Sequence, residues 1–589
     1  MKRPQLKEIP VKQQTITTFG GYNHQYKIGD NEWYDMQNMA PDDTPVLSPR
    51  RPRGYLREIT GLQGLYARDT LYYIHDGYLY KGGKRIDLST AGIDRFGGGE
   101  RTLISMGAYL VIFPDKIRYN TSTGTASSLE NYISCTGEIH FDPCRLEDGN
   151  ADAIYPERSD TAPANPTGGM YWLDTSNNVL KQYASDTGQW VSVPTTYVKI
   201  SATGIGIGFS VYDGVKISGL PEEYESLNGD TILWGVGDDY IIVVGLTGNT
   251  KLTSGSIRVE RTVPGMDFVT EQDNRLWGCS SDSHEIYACK LGDPTNWNCF
   301  MGISTDSYSA TIGTPGDFTG ACSHLGYVLF FKEDVIHKVY GNKPANYQVS
   351  TVNARGVQKG CHHSLATVSE VLYYKATVGV CAYQGGLPAS ISENMGNTAY
   401  SHAAAGVYGS RYAISMKDSA GKWNLFTYDT LTGLWHRQDH THATAFARLG
   451  DELYYVEDIG GGKGRLCSMG GSLAYEPGGS PPAAAHTEGP VPWYVETGSI
   501  ETDVPDHLTL RRLQLRLSVE TDARVRILLR YDTDTLWQPV YSVRASDRRA
   551  VTVPLIPRRC ERLRLRIEGT GMAHILALNK IMEEGSERS

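Results

Sequence analysis

The chain has 589 residues, a net charge of −10 and an isoelectric point near 5.9. It is too long for one hydrophobic core and predicts several domains, while its acidity argues against a nucleic-acid reader that works through a generally basic surface. Glycine (64 residues), tyrosine (37) and proline (27) are plentiful and long amphipathic helical patterns are nearly absent, so the composition predicts an all-β protein.

Residues 1–60 predict an extended, turn-rich arm. Four prolines between positions 41 and 52 rule out a helix there, because proline cannot donate to a helix or to a β-ladder. An N-terminal strand often closes a propeller by pairing with its last blade, and this arm is a candidate for that role. Its basic cluster of Arg50, Arg51 and Arg53 is a candidate contact for phosphate, the alternative being a solvated basic loop.

A short phrase recurs along the chain: a β-like run, a turn, a second run and a glycine-containing turn. It begins with Leu-Tyr-Tyr at residues 71, 372 and 453, and looser copies begin at residues 109, 276, 329 and 412. From residue 276 onward the copies lie roughly 40 to 50 residues apart, which is the length of a four-stranded propeller blade. The repeat predicts a β-propeller of about seven blades over 61–133 and 263–477, two blades before an interruption and five after it.

Residues 134–262 interrupt the repeat and predict an insertion of small β modules, either a barrel and hairpins or a twisted sheet. Trp172 and Trp190 flank a hairpin turn in its first part. They are candidate glycan contacts, the alternative being that paired hairpin tryptophans form a local core.

Residues 478–492 are rich in small residues and proline and predict a linker. In 493–589, leucines alternate with arginines, which predicts a C-terminal β-sandwich with apolar residues inside and arginines outside. The arginines are candidates for a subunit or partner interface, the alternatives being soluble strand surfaces or direct DNA contact. They are Arg512, Arg516, Arg562, Arg564 and Arg566.

Histidines 436, 440 and 442 form, with Asp439, the densest group of candidate metal ligands, and His440 and His442 share a face if the segment is a strand. Three ligands on one loop are more typical of a polar turn. Cys361-His362-His363 is a weaker candidate, because adjacent side chains on a strand diverge. The turns before Trp190 and Trp435 match the Asp-box of sialidase propellers only in part. We predict no catalytic residue, no cofactor and no metal, and that the chain is not an enzyme.

Ten cysteines are scattered without a CxxC pair, which predicts buried free thiols and a reducing compartment. The first twenty residues lack the apolar run of a signal peptide, and no segment is apolar enough to cross a bilayer. The sequence therefore predicts a soluble protein made in a cytosol.

Several stretches, taken in order, carry a resemblance to a known family that covers nearly the whole chain. They are NEWYDMQNMAPDDTPVLSPRRPRG (31–54), VPGMDFVTEQDNRLWGC (263–279), IYACKLGDPTNWNCF (286–300), FFKEDVIHKVYGNKP (330–344), GVCAYQGGLPASISENM (379–395), YDTDTLWQPVY (531–541) and PLIPRRCERLRLRIEGTGMAHILAL (554–578). In this order they resemble tailed-bacteriophage virion proteins of the neck and tail nozzle, which include packaged-DNA stabilisation proteins and propeller-bearing tail hubs.

The resemblance implies a structural virion protein, assembled in the host bacterial cytoplasm, that forms a homo-oligomeric ring, commonly of six copies. Such a ring extends the DNA channel below portal and adaptor proteins, retains the packaged DNA and carries tail fibre or tip proteins. Double-stranded DNA would pass through its lumen without sequence recognition, and no membrane insertion is implied. The alternative is a carbohydrate- or receptor-binding propeller of the tail.

Overall fold

The computed structural model describes residues 11–147, 150–502 and 506–585, and nearly all of its regular structure is β-strand. Within these ranges six four-stranded antiparallel sheets and one five-stranded antiparallel sheet form the seven blades of a propeller. The strands of blades 1 to 3 are Leu62–Ala67, Leu71–His75, Tyr78–Lys81 and Lys84–Arg85; Thr102–Met106, Tyr109–Phe113, Ile117–Asn120 and Ala126–Ser128; and Phe268–Gln272, Arg275–Ser280, Glu285–Ala288 and Tyr308–Thr311. Those of blades 4 to 6 are Gly320–His324, Tyr327–Phe331, Val335–Tyr340 and Gln348–Asn353; Ala366–Val368, Val371–Lys375, Val380–Tyr383 and Ala389–Ser390; and Tyr400–Tyr408, Arg411–Asp418, Trp423–Asp429 and Leu434–Asp439.

Blade 7 closes the ring with a strand from the arm. Its first three strands are Ala443–Leu449, Glu452–Gly460 and Lys463–Ser468, and Gly54–Thr60 pairs antiparallel with the third. Gly54 must be glycine here, since a Cβ would lie 2.3 Å from the carbonyl oxygen of Ser472. The predicted closure by the N-terminal arm is thus confirmed, as are the all-β class and the propeller of about seven blades.

The recurring Leu-Tyr-Tyr phrase marks the second strand of a blade, which is buried on both faces. In blade 1, Tyr72 packs in the core shared with blade 2, while Tyr73 packs in the core shared with blade 7. Both are fully buried. A strand covered on both faces reads as a continuous apolar run instead of an alternating one. The first strands of most neighbouring blades contact one another around the axis, which leaves a central cavity.

The insertion between blades 2 and 3 forms one strongly curved eight-stranded sheet around its own core and one small four-stranded sheet. One end strand of the curved sheet, Gly229–Ile232, contacts Tyr240–Val244, which is the strand next to the other end. Its other strands are Asn131–Glu147, Asn150–Ala153, Tyr197–Ser201, Gly214–Ser218, Gly235–Gly237 and Thr250–Arg261; the small sheet has Glu157–Ser159, Tyr171–Asp174, Val179–Ala184 and Gln189–Ser192.

The predicted C-terminal sandwich is present and is built around one 25-residue strand, His507–Tyr531. Its first half pairs with Ala573–Gly585 and its second half with Arg562–Thr570, so a single hydrogen-bonded sheet folds over into two layers. The alternating leucines predicted to face inward are buried, at 0–2% exposure for Leu513, Leu515 and Leu517. The remaining strands are Pro492–Glu496, Ile500–Glu501, Gln538–Val553 and Arg559–Cys560.

Besides closing blade 7, the arm joins the sandwich to the propeller, a connection that the sequence did not predict. The arm supplies the two outermost strands of the main row of strands in the sandwich sheet: Val11–Ile16 at one side and Asp35–Gln37 at the other. Between them, the backbone N–H of Tyr22 donates to the carbonyl of Trp435 in blade 6 at 2.6 Å. Two further short strands, Met39–Ala40 and Ser48–Pro49, pair with each other. One apolar core therefore runs from blades 4–6 through the arm into the sandwich.

The predicted linker also makes fixed contacts with the propeller and the arm. His486–Thr487 pairs with the closing strand of blade 7, and Glu488 makes an ion pair with Arg50 at 2.7 Å. Small residues and proline indicate irregular backbone, but they do not exclude packing against a neighbouring edge. The segment is irregular and attached at the same time.

The ten cysteines are free, as predicted, and nine of them are buried. Five short 3-10 turns complete the regular structure of the described ranges: Ser89–Ala91, Glu222–Leu227, Pro344–Asn346, His362–Ser364 and Glu393–Met395. In those same ranges, no helix has the length and apolar character needed to cross a membrane.

Candidate functional site

A cavity with a volume of about 1200 Å³ lies at the centre of the propeller, lined by residues from most of its blades. It opens at the face where the first strand of each blade begins, and its wall is formed by the first residues of those strands. The wall includes Leu103 from blade 2, Val269 from blade 3 and Phe446 from blade 7. The cavity thus combines an apolar wall with polar groups from the loops at its mouth, which is the usual composition of a binding site.

A triglycine loop, Gly97–Gly99, reaches over the mouth from the connection between blades 1 and 2. The side-chain amide of Gln63 donates to the carbonyls of Gly97 and Gly99, at 2.5 and 3.2 Å. Arg101 donates to the carbonyls of Gly98 and Gly99, at 2.9 and 2.7 Å, and is itself paired with Asp115. Two side chains thus fix a loop that has no side chains of its own, and the loop ends at Glu100.

Two histidines approach Glu100 from the connection between blades 4 and 5. The Nε2 atoms of His362 and His363 lie 3.1 and 2.5 Å from Oε1 of Glu100. Their ring centroids are 4.1 Å apart. Burial opposes ionisation of Glu100, but the hydrogen bonds and charges of the two histidines outweigh it and hold the pKa of this carboxyl well below its usual range.

The sequence-based expectation that His362 and His363 diverge is wrong. They open a 3-10 turn, His362–Ser364, and not a strand, so successive side chains do not alternate between two faces. The prediction of no metal site rested in part on this expectation, and it did not consider Glu100 beside His362 and His363, although the ligand atoms of these three groups all lie within 4.8 Å of one another. No sequence signal joins them, because 262 positions separate Glu100 from His362.

The histidines at 436, 440 and 442 do not form a common site. His436 is buried within blade 6, where desolvation and the charge of Arg411 lower its pKa to about 4. His440 Nδ1 lies 3.1 Å from the carbonyl oxygen of Trp423, and the ring of His442 stacks on the Trp423 indole at 3.6 Å. Residues 440–442 lie between two strands and not in one, so the condition for the predicted shared face of His440 and His442 is not met.

Arg50 and Arg53 are neither solvated nor available to phosphate, which corrects both readings of the basic cluster. Each is only 6% exposed. Both pair with Asp439, at 3.5 and 2.8 Å, and Arg50 also pairs with Glu488. They fasten the arm to blade 6 and to the segment after blade 7. Arg51 alone of the three is exposed.

The arginines of the sandwich divide into two groups. Arg512, Arg516 and Arg562 are exposed. Arg564 and Arg566 are half-buried and lie beside Glu496, at 3.2 and 4.0 Å. Their guanidinium groups also stack over Tyr34 and Tyr494, at 4.6 and 3.8 Å from the ring centroids. Arg564 thus holds the arm against the sandwich, whereas Arg566 joins neighbouring strands of the sandwich itself. The exposed group remains as accessible interface candidates.

The two tryptophans of the small sheet differ in their exposure to solvent. Trp172 is 6% exposed and donates from its indole N–H to the carbonyl of Ser159 at 3.1 Å, so it is a core residue. Trp190 is half-buried and makes edge contacts with Trp172 and Tyr183, with ring centroids 5.4 Å apart in both pairs. Of the predicted glycan contacts, Trp190 has a partly accessible ring.

No protein-family model matches this sequence, and a search of curated proteins finds no match. Solved structures that match include an exo-β-1,3-galactanase from Phanerochaete chrysosporium, at 9% identity over 52% of this chain and 92% of its own, with a TM-score of 0.20. The phage phi92 endosialidase matches at 11% identity over 72% and 52%, with a TM-score of 0.16. A bifunctional GH43-CE protein from Bacteroides eggerthii matches at 10% over 54% and 61%, with a TM-score of 0.19.

The prediction that this chain is not an enzyme is corrected, because the solved structures that match it include glycoside hydrolases. We assign no enzymatic activity in its place, since structural matches with TM-scores of 0.14 to 0.25 carry no argument for a particular reaction. The fold itself identifies a β-propeller protein with an inserted curved sheet and a C-terminal β-sandwich.

Proposed function

We propose that this chain is a structural protein of a tailed phage or prophage, which assembles into a ring at the neck or tail nozzle, with six copies as in the family it resembles. The observation that carries the proposal is the arm, which pairs with the sandwich, packs on blade 6 and closes blade 7. A subunit of a virion channel must transmit force during DNA passage without separating its domains, and this arm supplies the connection. The seven resembling stretches lie in the arm, blades 3 to 5 and the sandwich.

The charge of the chain is compatible with DNA transit. At −10 overall, the surface repels phosphate in general, so duplex DNA would slide along it instead of binding. The propeller cavity, at about 1200 Å³, is close to the size of a ligand pocket, about 300–1,000 Å³. In the proposed ring, the DNA channel therefore lies between subunits and not along the axis of one propeller.

Arg512 and Arg516 are the residues we propose for contact with a neighbouring subunit or an acidic partner. They are exposed on the outer face of a strand whose inner face is fixed by buried leucines, so their backbone positions are set in advance. Replacement of both by serine should shift the ring toward single subunits in native mass spectrometry. The matched control is Lys359→Ser, which removes an exposed cation from the propeller. Unchanged assembly of the double variant would remove this face from the interface.

Quantitative mass spectrometry of purified particles tests the proposal as a whole. A low and fixed copy number, about six to twelve by analogy with cyclic oligomers, is the expected result. Absence of the chain from particles that contain the other structural proteins would refute a virion role. A copy number in the hundreds would instead indicate a protein of the head or of a long tail tube.

A carbohydrate- or receptor-binding role is the second candidate, and Trp190 is the observation that favours it. Its half-buried ring lies beside Tyr183 on a small sheet of the insertion, and amphipathic aromatic rings are suited to sugar faces. Glycan-array binding by the full chain, lost in Trp190→Ala, would support it. The control is Tyr155→Ala, which removes another exposed aromatic from the insertion, 78% accessible. Absence of binding by the wild-type chain would rule it out for the sugars tested.

A further inference from the structure

We propose that Glu100, His362 and His363 form a site for a divalent transition-metal ion, zinc by preference, at the mouth of the propeller cavity. Two imidazoles and one carboxylate are a known set of three protein ligands for zinc, which leaves one coordination position open for water. The ligand atoms of these three residues all lie within 4.8 Å of one another. The proposal is independent of any role in a virion.

The distances are close to those that a bound ion needs. With metal–ligand bonds of about 2.0–2.1 Å and tetrahedral geometry, neighbouring ligand atoms are about 3.3 Å apart. Oε1 of Glu100 lies 3.1 Å from Nε2 of His362 and 2.5 Å from Nε2 of His363. The first pair already has nearly the required separation, and the second must open by less than 1 Å. All three side chains are partly exposed, so they have room for this adjustment and a path for the ion.

The histidine turn is held in place by buried neighbours. The hydroxyl of Ser364 donates to the carbonyl of Cys361 at 2.6 Å and accepts the backbone N–H of Lys375 at 2.9 Å. The hydroxyl of Tyr412, in blade 6, donates to the carbonyl of Ser364 at 2.7 Å. Phe268, at the start of blade 3, lies against the His362 ring with centroids 5.1 Å apart. A ligand pair fixed by its surroundings loses less entropy when it binds an ion.

The nearby cations are already paired with other carboxylates, which leaves the charge of Glu100 directed at the histidines. Arg101 pairs with Asp115 at 3.0 Å, and Arg95 pairs with Asp76 at 2.6 Å. A divalent ion would then connect the loop after blade 1 to the turn before blade 5. Since these segments come from different sides of the ring, the ion would fasten the triglycine loop over the cavity.

Isothermal titration of the metal-free full-length chain with zinc chloride tests the site. We expect one ion per chain and at least about tenfold weaker binding in Glu100→Gln and in His363→Ala, since even loss of a second-shell partner costs 10–100-fold. The matched control is His140→Ala. His140 is an exposed histidine 3.0 Å from Glu138, and the second partner of this carboxylate is Lys251, at 3.1 Å, and not another histidine. Its removal should leave zinc binding unchanged.

Hydrogen exchange locates the ion along the chain. Zinc should slow amide exchange in residues 97–101 and 361–364 of the wild-type chain, and the effect should be lost in His363→Ala. Wild-type protein that binds no zinc, or variants that bind it as tightly as wild type, would show that the three groups form only an ion-pair cluster. Zinc binding that protects other segments would place the ion elsewhere and overturn the assignment.

Discussion

Acidification from pH 7 to pH 5 should destabilise this protein through two buried, uncharged histidines. His337 in blade 4 is fully buried, and its ring nitrogens lie 3.0 Å from the hydroxyls of Thr314 and Thr351. Burial, with the charge of Lys332, lowers its pKa to about 4. His436 in blade 6 is 3% exposed and has a pKa of about 4 for the same main reason.

The size of the effect follows from the difference between folded and unfolded pKa values. A histidine whose pKa falls from about 6.5 to about 4 on folding favours the folded state above pH 6.5 and loses this advantage as the pH falls toward 4. Between pH 7 and pH 5 each such histidine should cost about 2 kcal/mol. The two lie in different blades, so their contributions should add to about 4 kcal/mol.

Urea unfolding at the two pH values measures this loss. In His337→Gln, which cannot take up the proton, the loss of stability between pH 7 and pH 5 should be smaller than in wild type by about 2 kcal/mol. The control is His486→Gln, at an exposed position, and it should keep the full wild-type dependence. If His337→Gln loses as much stability on acidification as the wild type, His337 does not stay neutral in the folded state and the reasoning is wrong.

Three further changes test how the arm holds the molecule together. Asp439→Asn leaves the buried guanidinium of Arg53 without its carboxylate and should cost about 3–5 kcal/mol in urea unfolding; a loss below 1 kcal/mol would contradict a buried pair. Trp33→Ala empties an arm position that is 2% exposed and should also cost about 3–5 kcal/mol, whereas Tyr26→Ala, at a fully exposed site, should cost almost nothing. Deletion from Pro490 onward should leave an aggregating product, because it uncovers the apolar side of the arm; a soluble, folded propeller would refute the shared core.

The propeller could be predicted from the sequence because its strongest signal is local. The second strand of a blade is buried on both sides, so Leu71-Tyr72-Tyr73 and its copies appear as short continuous runs at blade-length intervals. The sandwich could be predicted equally well, since its strands alternate between apolar and charged residues over long stretches. In both cases burial is decided within one strand and its immediate neighbours.

The attachment of the arm to the sandwich and the arrangement of the cavity mouth could not be predicted, because the contacting residues are far apart in the chain. The strand Asp35–Gln37 has only three residues, too few to show a period, and its partner lies in Pro492–Glu496. The composition of the basic cluster is that of a solvated loop. Its partners Asp439 and Glu488 are distant in the sequence and lie beside it only in the closed ring. Glu100 meets its two histidines only after most of the propeller has formed.

The described edges of the sandwich sheet favour association through faces and not through added strands. The edge strand Val11–Ile16 has the exposure pattern of a solvated strand, and its middle residues Lys12, Gln13, Gln14 and Thr15 are polar. Polar and charged edges disfavour pairing with another chain, and this is a common protection against uncontrolled growth of a sheet. In the proposed ring, contact through side chains would then be favoured over strand addition at this edge. The exposed arginines of the long strand, presented at fixed spacing on an outer face, are the groups that such a contact would use.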